Sequence, residues 1–460
     1  MTTNNDQPPK RHVAVCAFPF GSHAAPLLLL VKQISTTAPD TRFTFFNTER
    51  SNASLFKTND VNSFCNIVPY NITLPEGKPI GPGNPVMMAI EHFLEFSPTS
   101  FRRAMAEVEA QAGIRLSCLI SDAFLWFCSE IGQELGLSWI ALWTAGPVSL
   151  STHFYTDFIR KKFGGDVQQG IGGEKDTLQS IPGLSNIRIS DLPMGIVTGD
   201  LKAPFSQMLH NMALMIPKAK AVAVNSFQEL SPLVVNDLNS KMRLLCVGPF
   251  PLTCPSEVHP DPYNCLEWLD KHSPKKVAYI SFGTFLTPPP HEIKALAEAL
   301  QVSGIPFLWS MNDSAKGNLP ETFMERIQDD EKIGKIVPWA PQMKLLAHPS
   351  VGVFVTHCGW NSMMESILTG MPLICRPMLG DQVLNQRVIE TDLKFGMGIE
   401  GGELTQSGTI NALNQVLASE EGKQMRKNVE ELKMLAEESV KPGGSSFKDF
   451  NALIELIKSS

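Results

Sequence analysis

Two side chains in the first half of the chain could form a proton-transfer pair. His23 ends the segment 19–23, which directly follows the apolar run 13–18, and Asp122 follows the apolar run 118–120. An imidazole can accept a proton near neutral pH, and a neighbouring carboxylate fixes its tautomer and stabilises its protonated form. The pair therefore indicates a general base, with loop capping by His23 and helix capping by Asp122 as the alternative.

The second half carries a segment that suits a phosphate group. An apolar run leads into residues 356–362, which read Thr-His-Cys-Gly-Trp-Asn-Ser and open a predicted helix. Helix N-termini bind phosphate through unpaired N–H groups and the helix dipole. His357 adds a hydrogen-bond donor, and Gly359 permits close approach of the backbone. Asn361 and Ser362 add polar contacts, so the segment predicts a phosphate-binding turn.

An acid and an amide, Asp381 and Gln382, follow the apolar run 372–375. Their donors and acceptors suit the hydroxyl groups of a sugar. Neither the Gly-x-Gly-x-x-Gly pattern of dinucleotide-binding folds nor the Gly-x-x-x-x-Gly-Lys-Ser/Thr pattern of P-loops occurs in the sequence. A dinucleotide-dependent oxidoreductase and a P-loop enzyme therefore lose support.

Short apolar runs separated by helix-like stretches must position these side chains. The runs lack strict alternation of polar and apolar residues, which is typical of parallel strands buried on both faces. They occupy residues 13–18, 43–46, 118–120, 139–143, 221–224 and 244–247, and then 277–281, 307–310, 335–337, 351–355 and 372–375. A proline-rich stretch, residues 249–262, separates the two sets. The pattern predicts two doubly wound α/β domains that bind ligands at the carboxyl ends of their strands.

Composition narrows the class of protein. The chain has 460 residues, a hydrophobic fraction of 43%, a charged fraction of 18% and a net charge of −7. These values exclude a disordered or collagen-like chain and a strongly basic nucleic-acid-binding surface. The nine cysteines form no Cys-x-x-Cys pair, and Pro19, Gly21, His23 and Pro26 interrupt the apolar stretch 13–31. We therefore expect no disulfide framework, zinc site, signal peptide or membrane span, and a cytoplasmic setting.

The motifs of the second half resemble the signature box of plant UDP-sugar-dependent (family 1) glycosyltransferases. The resemblance runs from Trp339 to Gln382, a span of 44 residues that equals the length of that box. The matching positions are Trp339-Ala340-Pro341-Gln342, His357 to Ser362, Glu365 and Asp381-Gln382. Residues 17–20, 23–26, 121–124, 143–146 and 281–284 extend the resemblance, which is strongest to the branch of flavonoid and anthocyanidin 3-O-glucosyltransferases.

The resemblance implies a GT-B fold, in which two Rossmann-like domains face each other across a cleft. We expect an acceptor-binding domain over residues 11–248, a linker over 249–262 and a UDP-sugar-binding domain over 263–440. Residues 441–460 should form a C-terminal helix that packs back on the first domain.

The resemblance also implies an inverting transfer of glucose from UDP-glucose to a flavonoid hydroxyl. The expected acceptor is the 3-OH of a flavonol or anthocyanidin, with His23 as the general base and Asp122 as its partner. UDP-glucose is a co-substrate, and neither a metal nor another cofactor is expected. The protein should be a monomer without a nucleic-acid or membrane partner.

The residues carried over for the donor divide by the part of UDP-glucose that each would hold. By the resemblance, Trp339 would stack on uracil, Ala340 and Gln342 would lie beside the nucleoside, and Glu365 would accept from the ribose hydroxyls. The diphosphate would be held by Ser281, Thr284, His357, Asn361 and Ser362. The sugar would be held by Thr144, Trp360, Asp381 and Gln382. A glutamine at the end of the box is associated with glucose, and a histidine there with galactose.

A flat aromatic pocket is expected for the acceptor. Its predicted walls are Phe20, Phe124, His153, Leu192 and Met87. Relatives often carry a Gly-Arg-Pro-Gln-like stretch near the flavonoid, whereas residues 81–88 read Gly-Pro-Gly-Asn-Pro-Val-Met-Met. Because methionine adapts to irregular ligands, this departure indicates an altered range of acceptors, with ordinary packing of the methionines as the alternative.

Two alternatives to flavonoid glucosylation stay open. The same fold could use another UDP-sugar, such as galactose, rhamnose or arabinose, or another phenolic acceptor. A non-catalytic protein that binds a UDP-sugar or a flavonoid belongs to a different class. The intact His23, Asp122 and signature box argue against that class.

Overall fold

The structure is a computed structural model that describes residues 9–56, 66–76, 85–168, 176–254, 260–283, 287–330 and 332–460. Contacts divide the chain into two compact units. The first unit comprises Met1–Gly172, Met194–Pro255 and Ser439–Ser460, and the second comprises Gly173–Pro193 and Ser256–Glu438. Each unit is an α/β structure built on a parallel sheet, so the predicted fold class is confirmed.

The first unit contains strands whose order follows the doubly wound pattern. They are β1 (Arg11–Cys16), β2 (Thr41–Asn47), β3 (Ile67–Asn71), β4 (Cys118–Asp122), β5 (Ser138–Trp143), β6 (Ala221–Val224) and β7 (Leu244–Cys246). Within the described ranges they form a sheet of order β3-β2-β1-β4-β5-β6-β7 with parallel neighbours. Because β1 lies inside the sheet and pairs with both β2 and β4, the turns after β1 and β4 end side by side.

Helices connect these strands. They are α1 (Ala24–Thr37), α2 (Glu49–Leu55), α3 (Pro85–Ala112), α4 (Cys128–Leu135), α5 (Pro147–Phe154), α6 (Thr156–Gln168), α7 (Pro204–Met215), α8 (Pro232–Asn239) and α9 (Phe250–Thr253). Proline opens several of them, because the first turn of a helix does not need its missing N–H group. A glycine in the left-handed conformation, Gly136 with φ of 68°, ends α4.

The second unit has its own parallel sheet. Its strands are β8 (Val277–Ser281), β9 (Phe307–Ser310), β10 (Gly334–Val337), β11 (Val351–Thr356), β12 (Leu373–Cys375) and β13 (Gly396–Gly398). In the part of the chain that is described, they follow the order β10-β9-β8-β11-β12-β13. The connecting helices are α10 (Cys265–Leu269), α11 (Pro290–Ser303), α12 (Asp313–Lys316), α13 (Glu321–Asp329), α14 (Gln342–Leu346), α15 (Trp360–Thr369), α16 (Gln382–Val388), α17 (Gln406–Ala418) and α18 (Glu420–Ser439).

The last helix, α19 (Ser445–Lys458), belongs to the first unit. Leu453, Ile454 and Ile457 are buried in the same apolar cluster as Val13 and Val15 of β1. Burial of such a side chain stabilises a fold by about 1.5–3 kcal/mol. Helix α19 therefore contributes to the same hydrophobic core as β1.

The segment 176–193 differs from the predicted division of the chain. The sequence analysis placed it within the first domain, but its contacts place it with the second unit. Arg387 Nε donates to the backbone carbonyl of Asn186 (2.9 Å), and Asn186 Nδ2 donates to Asp392 Oδ1 (2.6 Å). These polar contacts hold the segment against the end of α16.

None of the helices in the described ranges is both long and apolar enough to cross a lipid bilayer.

Candidate active site

His23 and Asp122 lie side by side after the ends of β1 and β4. His23 directly precedes α1, and the turn before it contains Gly21 with φ of +61°, a conformation that glycine adopts without strain. His23 Nδ1 lies 2.9 Å from Asp122 Oδ2. The side chain of Asp122 is 1% exposed, whereas that of His23 is 20% exposed. The structure thus brings together the two residues that the sequence pairs.

The hydrogen bonds around this pair show which nitrogen of the His23 imidazole can take part in proton transfer. The backbone N–H of Phe124 donates to Asp122 Oδ1 (2.8 Å), so both carboxylate oxygens are held. Thr144 Oγ1 lies 3.1 Å from His23 Nδ1. Among the described residues Nε2 of His23 has no such partner, so it is the nitrogen left for proton transfer. Thr144, which we predicted at the sugar, therefore contacts the candidate base.

Aromatic rings surround the imidazole of His23. The ring of Phe124 lies 4.4 Å from it and that of Phe18 lies 5.2 Å from it, measured between centroids. Phe20 in turn lies 5.2 Å from Phe18 and 5.7 Å from Phe93. Phe20 and Phe124 are half-buried, while Phe18 and Phe93 are buried beneath them. Sequence reasoning found the two outer rings and missed the supporting role of the two inner ones.

The other predicted acceptor residues lie on separate elements. His153 is buried in α5 against Trp143, with ring centroids 5.4 Å apart, and burial lowers its pKa to about 4. The imidazole is therefore neutral at pH 7. Met87 is half-buried in the first turn of α3, and residues 81–84 before it lie outside the described residues. Leu192 is buried in the second unit, because it belongs to the segment 176–193.

In the second unit, the turn after β11 is built around His357. Gly283, with φ of +79°, and Gly359 flank the imidazole: a Cβ atom at these positions would lie 3.0 Å from His357 Cε1 and 2.6 Å from His357 Nε2. Within the described part of the chain, His357 Nδ1 is buried without a hydrogen-bond partner. Burial lowers the pKa of His357 to about 4, so the ring is neutral. A neutral imidazole has one N–H group, which can donate to a phosphate oxygen.

The same turn opens α15. Its first turn leaves N–H groups without helical partners, which is a favourable environment for an anion. Trp360 and Ser362 are buried and Asn361 is half-buried in that turn. Ser281 ends β8, and its register partner in β11 is Thr356. Thr284, also predicted at the diphosphate, lies outside the described residues.

Gln342 is the centre of a polar network beside this turn. Its Nε2 donates to Glu365 Oε2 (2.5 Å) and to Ser362 Oγ (3.4 Å), and its Oε1 accepts from Tyr279 (3.1 Å). Burial raises the pKa of Glu365 to about 7, against the smaller opposing effect of the Gln342 hydrogen bond. The sequence analysis did not predict Tyr279 as a member of this network, because a tyrosine within a buried strand is typical of the hydrophobic core.

An exposed indole precedes this network. Trp339 is 39% exposed, unlike the neighbouring Ala340, which is buried. A large aromatic surface in solvent offers a stacking face for a planar ring such as uracil. The position of Trp339 supports the predicted stacking role.

Asp381 and Gln382 open α16. Gln382 Oε1 accepts from the backbone N–H groups of Met378 (2.8 Å) and Leu379 (3.1 Å). Its carbonyl is thereby fixed, and its NH₂ group, which has no hydrogen-bond partner among the residues that the structure describes, can donate to a ligand. Asn385 Nδ2 donates to Asp381 Oδ2 (3.1 Å). Asn385 was not singled out by sequence reasoning, since its position four residues after Asp381 is also that of an ordinary helical neighbour.

No group of three or more histidine, cysteine, aspartate or glutamate side chains that could hold a metal ion occurs among the residues the structure describes.

Comparison with known proteins identifies the class of protein. Residues 50–442 match the family described as UDP-glucoronosyl and UDP-glucosyl transferase, and the chain belongs to this family. The chain is 48% identical to anthocyanidin 3-O-glucosyltransferase UFGT of Vitis vinifera, over 97% of each protein. It is 47% identical to flavonol 3-O-glucosyltransferase F3GT2 of Actinidia chinensis var. chinensis, over 97% of each.

A solved structure gives the same result for the fold. The crystal structure of a UDP-glucose: anthocyanidin 3-O-glucosyltransferase in complex with UDP is 41% identical to the chain, covers 98% of it and 99% of its own chain, and superposes with a TM-score of 0.91. The predicted membership of the plant UDP-sugar glycosyltransferases and their GT-B fold is thereby confirmed.

Proposed function

We propose that this protein is an inverting glucosyltransferase that moves glucose from UDP-glucose to a flavonol or anthocyanidin, at the 3-OH. The observation that carries the proposal is the 2.9 Å hydrogen bond between His23 and Asp122 at the ends of two adjacent strands. Its context is a chain that matches flavonoid 3-O-glucosyltransferases over nearly its full length. The half-buried Phe20 and Phe124 beside this pair suit a flat aromatic acceptor.

The base begins the reaction. His23 Nε2 takes the proton of the acceptor hydroxyl, because Nδ1 is engaged by Asp122. The buried carboxylate stabilises the imidazolium that forms, and a positioned base of this kind accelerates a reaction by roughly 10²–10⁴-fold. The oxygen attacks C1 of glucose, the bond from C1 to UDP breaks, and direct displacement converts an α-linked donor into a β-glycoside.

The donor residues hold UDP-glucose and accept the charge of the leaving group. Negative charge grows on the diphosphate as the bond to C1 breaks. The N–H groups of the first turn of α15 and the neutral His357 meet this charge, together with Ser281, Thr284, Asn361 and Ser362. Trp339, Ala340, Gln342 and Glu365 hold the nucleoside, and Thr144, Trp360, Asp381 and Gln382 hold the sugar. The scheme assigns no step to a metal ion.

His153, Leu192 and Met87 complete the proposed acceptor walls. His153 would present a neutral ring, since burial lowers its pKa to about 4. Replacing Met87 by glutamine would add a polar contact near the stretch where relatives carry one, and should shift the preference among flavonoids. We further propose that the protein is a cytoplasmic monomer, which sedimentation velocity and a fluorescent fusion would test.

Product analysis tests the function. Incubation with UDP-glucose and quercetin should give a monoglucoside by mass spectrometry, and NMR should place a β-linked glucose on O3. A panel of UDP-glucose, UDP-galactose, UDP-rhamnose and UDP-arabinose with one fixed acceptor tests the donor. A faster reaction with another sugar would overturn the glucose assignment, and binding of both ligands without any product would identify a non-catalytic binding protein.

A further inference from the structure

A buried amide on α16 joins two segments of the donor site. Asn385 is 4% exposed, and its Nδ2 donates to the backbone carbonyl of Cys358 (3.0 Å) and to Asp381 Oδ2 (3.1 Å). The carbonyl of Cys358 belongs to the turn after β11, and Asp381 is the residue immediately before α16. A single NH₂ group therefore fixes the two segments relative to each other.

The turn that receives the first hydrogen bond is strained. Cys358 has φ of +63°, a left-handed conformation that costs a residue other than glycine about 1–2 kcal/mol. Such conformations persist where surrounding contacts hold them. Cys358 stands between His357 and Gly359, so its conformation sets the directions of the imidazole and of the first N–H groups of α15.

The second hydrogen bond orients a carboxylate. Asp381 is half-buried at the start of α16, and the donor four residues later in the helix fixes the position of its Oδ2. A carboxylate that accepts from a fixed donor keeps a defined orientation, which favours selective recognition of a hydroxyl group.

We propose that Asn385 is a positioning residue of the donor site, which holds the left-handed turn at Cys358 and the carboxylate of Asp381 in one arrangement. The diphosphate and the sugar are then bound as a unit rather than by two independent sites. This inference rests on the proposed function, and it assigns a role to a residue that acts through its neighbours.

Asn385→Asp gives the sharpest test, because it keeps the size of the side chain and replaces the NH₂ donor by an oxygen. At pH 8 the new carboxylate faces a carbonyl and a second carboxylate. We expect the affinity for UDP-glucose, measured by calorimetry, to fall by roughly ten- to a hundredfold relative to wild type. At pH 6 part of the loss should be recovered, because two adjacent carboxylates share a proton and the protonated one can donate again.

The next residue of α16 supplies a matched control. Gln386 Nε2 donates to Glu390 Oε1 (3.0 Å), so Gln386→Glu also places two carboxylates together, one on α16 and one just after its end. This variant should keep the wild-type affinity for UDP-glucose at both pH values. An equal loss in the control, a wild-type affinity of Asn385→Asp at pH 8, or a loss that does not change at pH 6 would each overturn the inference.

Asn385→Ala provides a second variant if Asn385→Asp does not fold, which thermal unfolding would reveal. Without the amide, UDP-glucose should lose more affinity than UDP, because UDP lacks the sugar that Asp381 holds. In an Asp381→Ala background the further loss caused by Asn385→Ala should be equal for the two ligands. Equal losses in both backgrounds would overturn the inference. Wild-type protein that fails to bind UDP-glucose would instead contradict the proposed function itself.

Discussion

The candidate base of the first unit and the proposed donor site of the second unit both lie after the carboxyl ends of parallel strands, but they are assembled over different distances along the chain. His23 meets Asp122 across 99 residues and Thr144 across 121 residues. Gln342 reaches Ser362 across 20 residues and Glu365 across 23 residues. The first arrangement joins strand ends that are far apart in the sequence, whereas the second joins two consecutive strand–helix units, β10–α14 and β11–α15.

The two regions also distribute their chemistry differently. In the proposed reaction, one nitrogen of His23 removes the proton, with a single carboxylate beside it. The proposed donor site is spread over a helix terminus, an imidazole between two glycines and the network around Gln342. Replacing His23 should therefore remove general-base catalysis altogether, whereas replacing one donor residue should only lower the affinity for UDP-glucose.

Removal of the base tests this comparison most severely. His23→Ala should lower kcat by roughly 10²–10⁴-fold, because it removes the proposed general base. The affinity for UDP, measured by calorimetry, should stay at the wild-type value, since the residues proposed to bind UDP belong to the other unit. Wild-type turnover would contradict the assignment of the base, and a large loss of UDP affinity would contradict the separation of the two regions.

Crowding of His357 tests the donor site. In Gly359→Ala, the new Cβ would lie 2.6 Å from His357 Nε2 and displace the ring. Loss of a hydrogen bond to a charged group should raise the KM for UDP-glucose by about ten- to a hundredfold. Gly317→Ala is the matched control, because φ there is −62° and the added Cβ would meet its nearest atom at 3.5 Å. The same KM in both variants would argue against a role of His357 at the diphosphate.

Titration of Glu365, a proposed nucleoside-binding residue, should make the stability of the protein depend on pH. Its pKa is about 7 in the folded chain and 4.5 without burial, so the folded state holds the proton between these values. The free energy of unfolding should therefore fall by up to roughly 3 kcal/mol as pH rises from 4.5 through 7. Glu365→Gln should remove this part of the pH dependence, as seen by denaturant unfolding at pH 5 and pH 8. An unchanged pH dependence would show that Glu365 does not carry it.

The smallest expected effect concerns Thr144. Loss of one hydrogen bond in Thr144→Val should lower kcat/KM by about fivefold. If Thr144 holds the sugar, as predicted, the loss lies in the KM for UDP-glucose. A change confined to kcat would remove Thr144 from the donor site and assign it to the base, which it contacts in the structure.

The strands of both sheets were largely predictable because buried parallel strands are continuous apolar runs. The predicted run 221–224 coincides with β6, and the run 277–281 coincides with β8. Two edge strands were missed. Most residues of β3 (Ile67–Asn71) are exposed and it contains a proline, and β13 is the tripeptide Gly-Met-Gly, so neither carries an apolar signal.

The candidate site also contains residues that were predictable from the sequence and residues that were not. The signature positions from Trp339 to Gln382 could be read directly, because their spacing is local. Leu192 shows the opposite case: its place in the second unit follows from the contact of Arg387 with Asn186, which joins two distant segments. Asn385 was missed because its place in the sequence is that of an ordinary helical neighbour of Asp381. Its proposed role also depends on the backbone conformation of Cys358, which no side-chain pattern reveals.

Helix α19 has a consequence for how the protein is made. Residues 439–460 fill the core around β1, yet the ribosome adds them after the whole of residues 256–438. At about 5–20 residues per second, this interval lasts roughly 10–40 seconds. During that time the apolar cluster around β1 lacks the side chains of α19. Stalled chains without residues 439–460 should therefore associate with chaperones more strongly than complete chains in a pull-down of translating ribosomes.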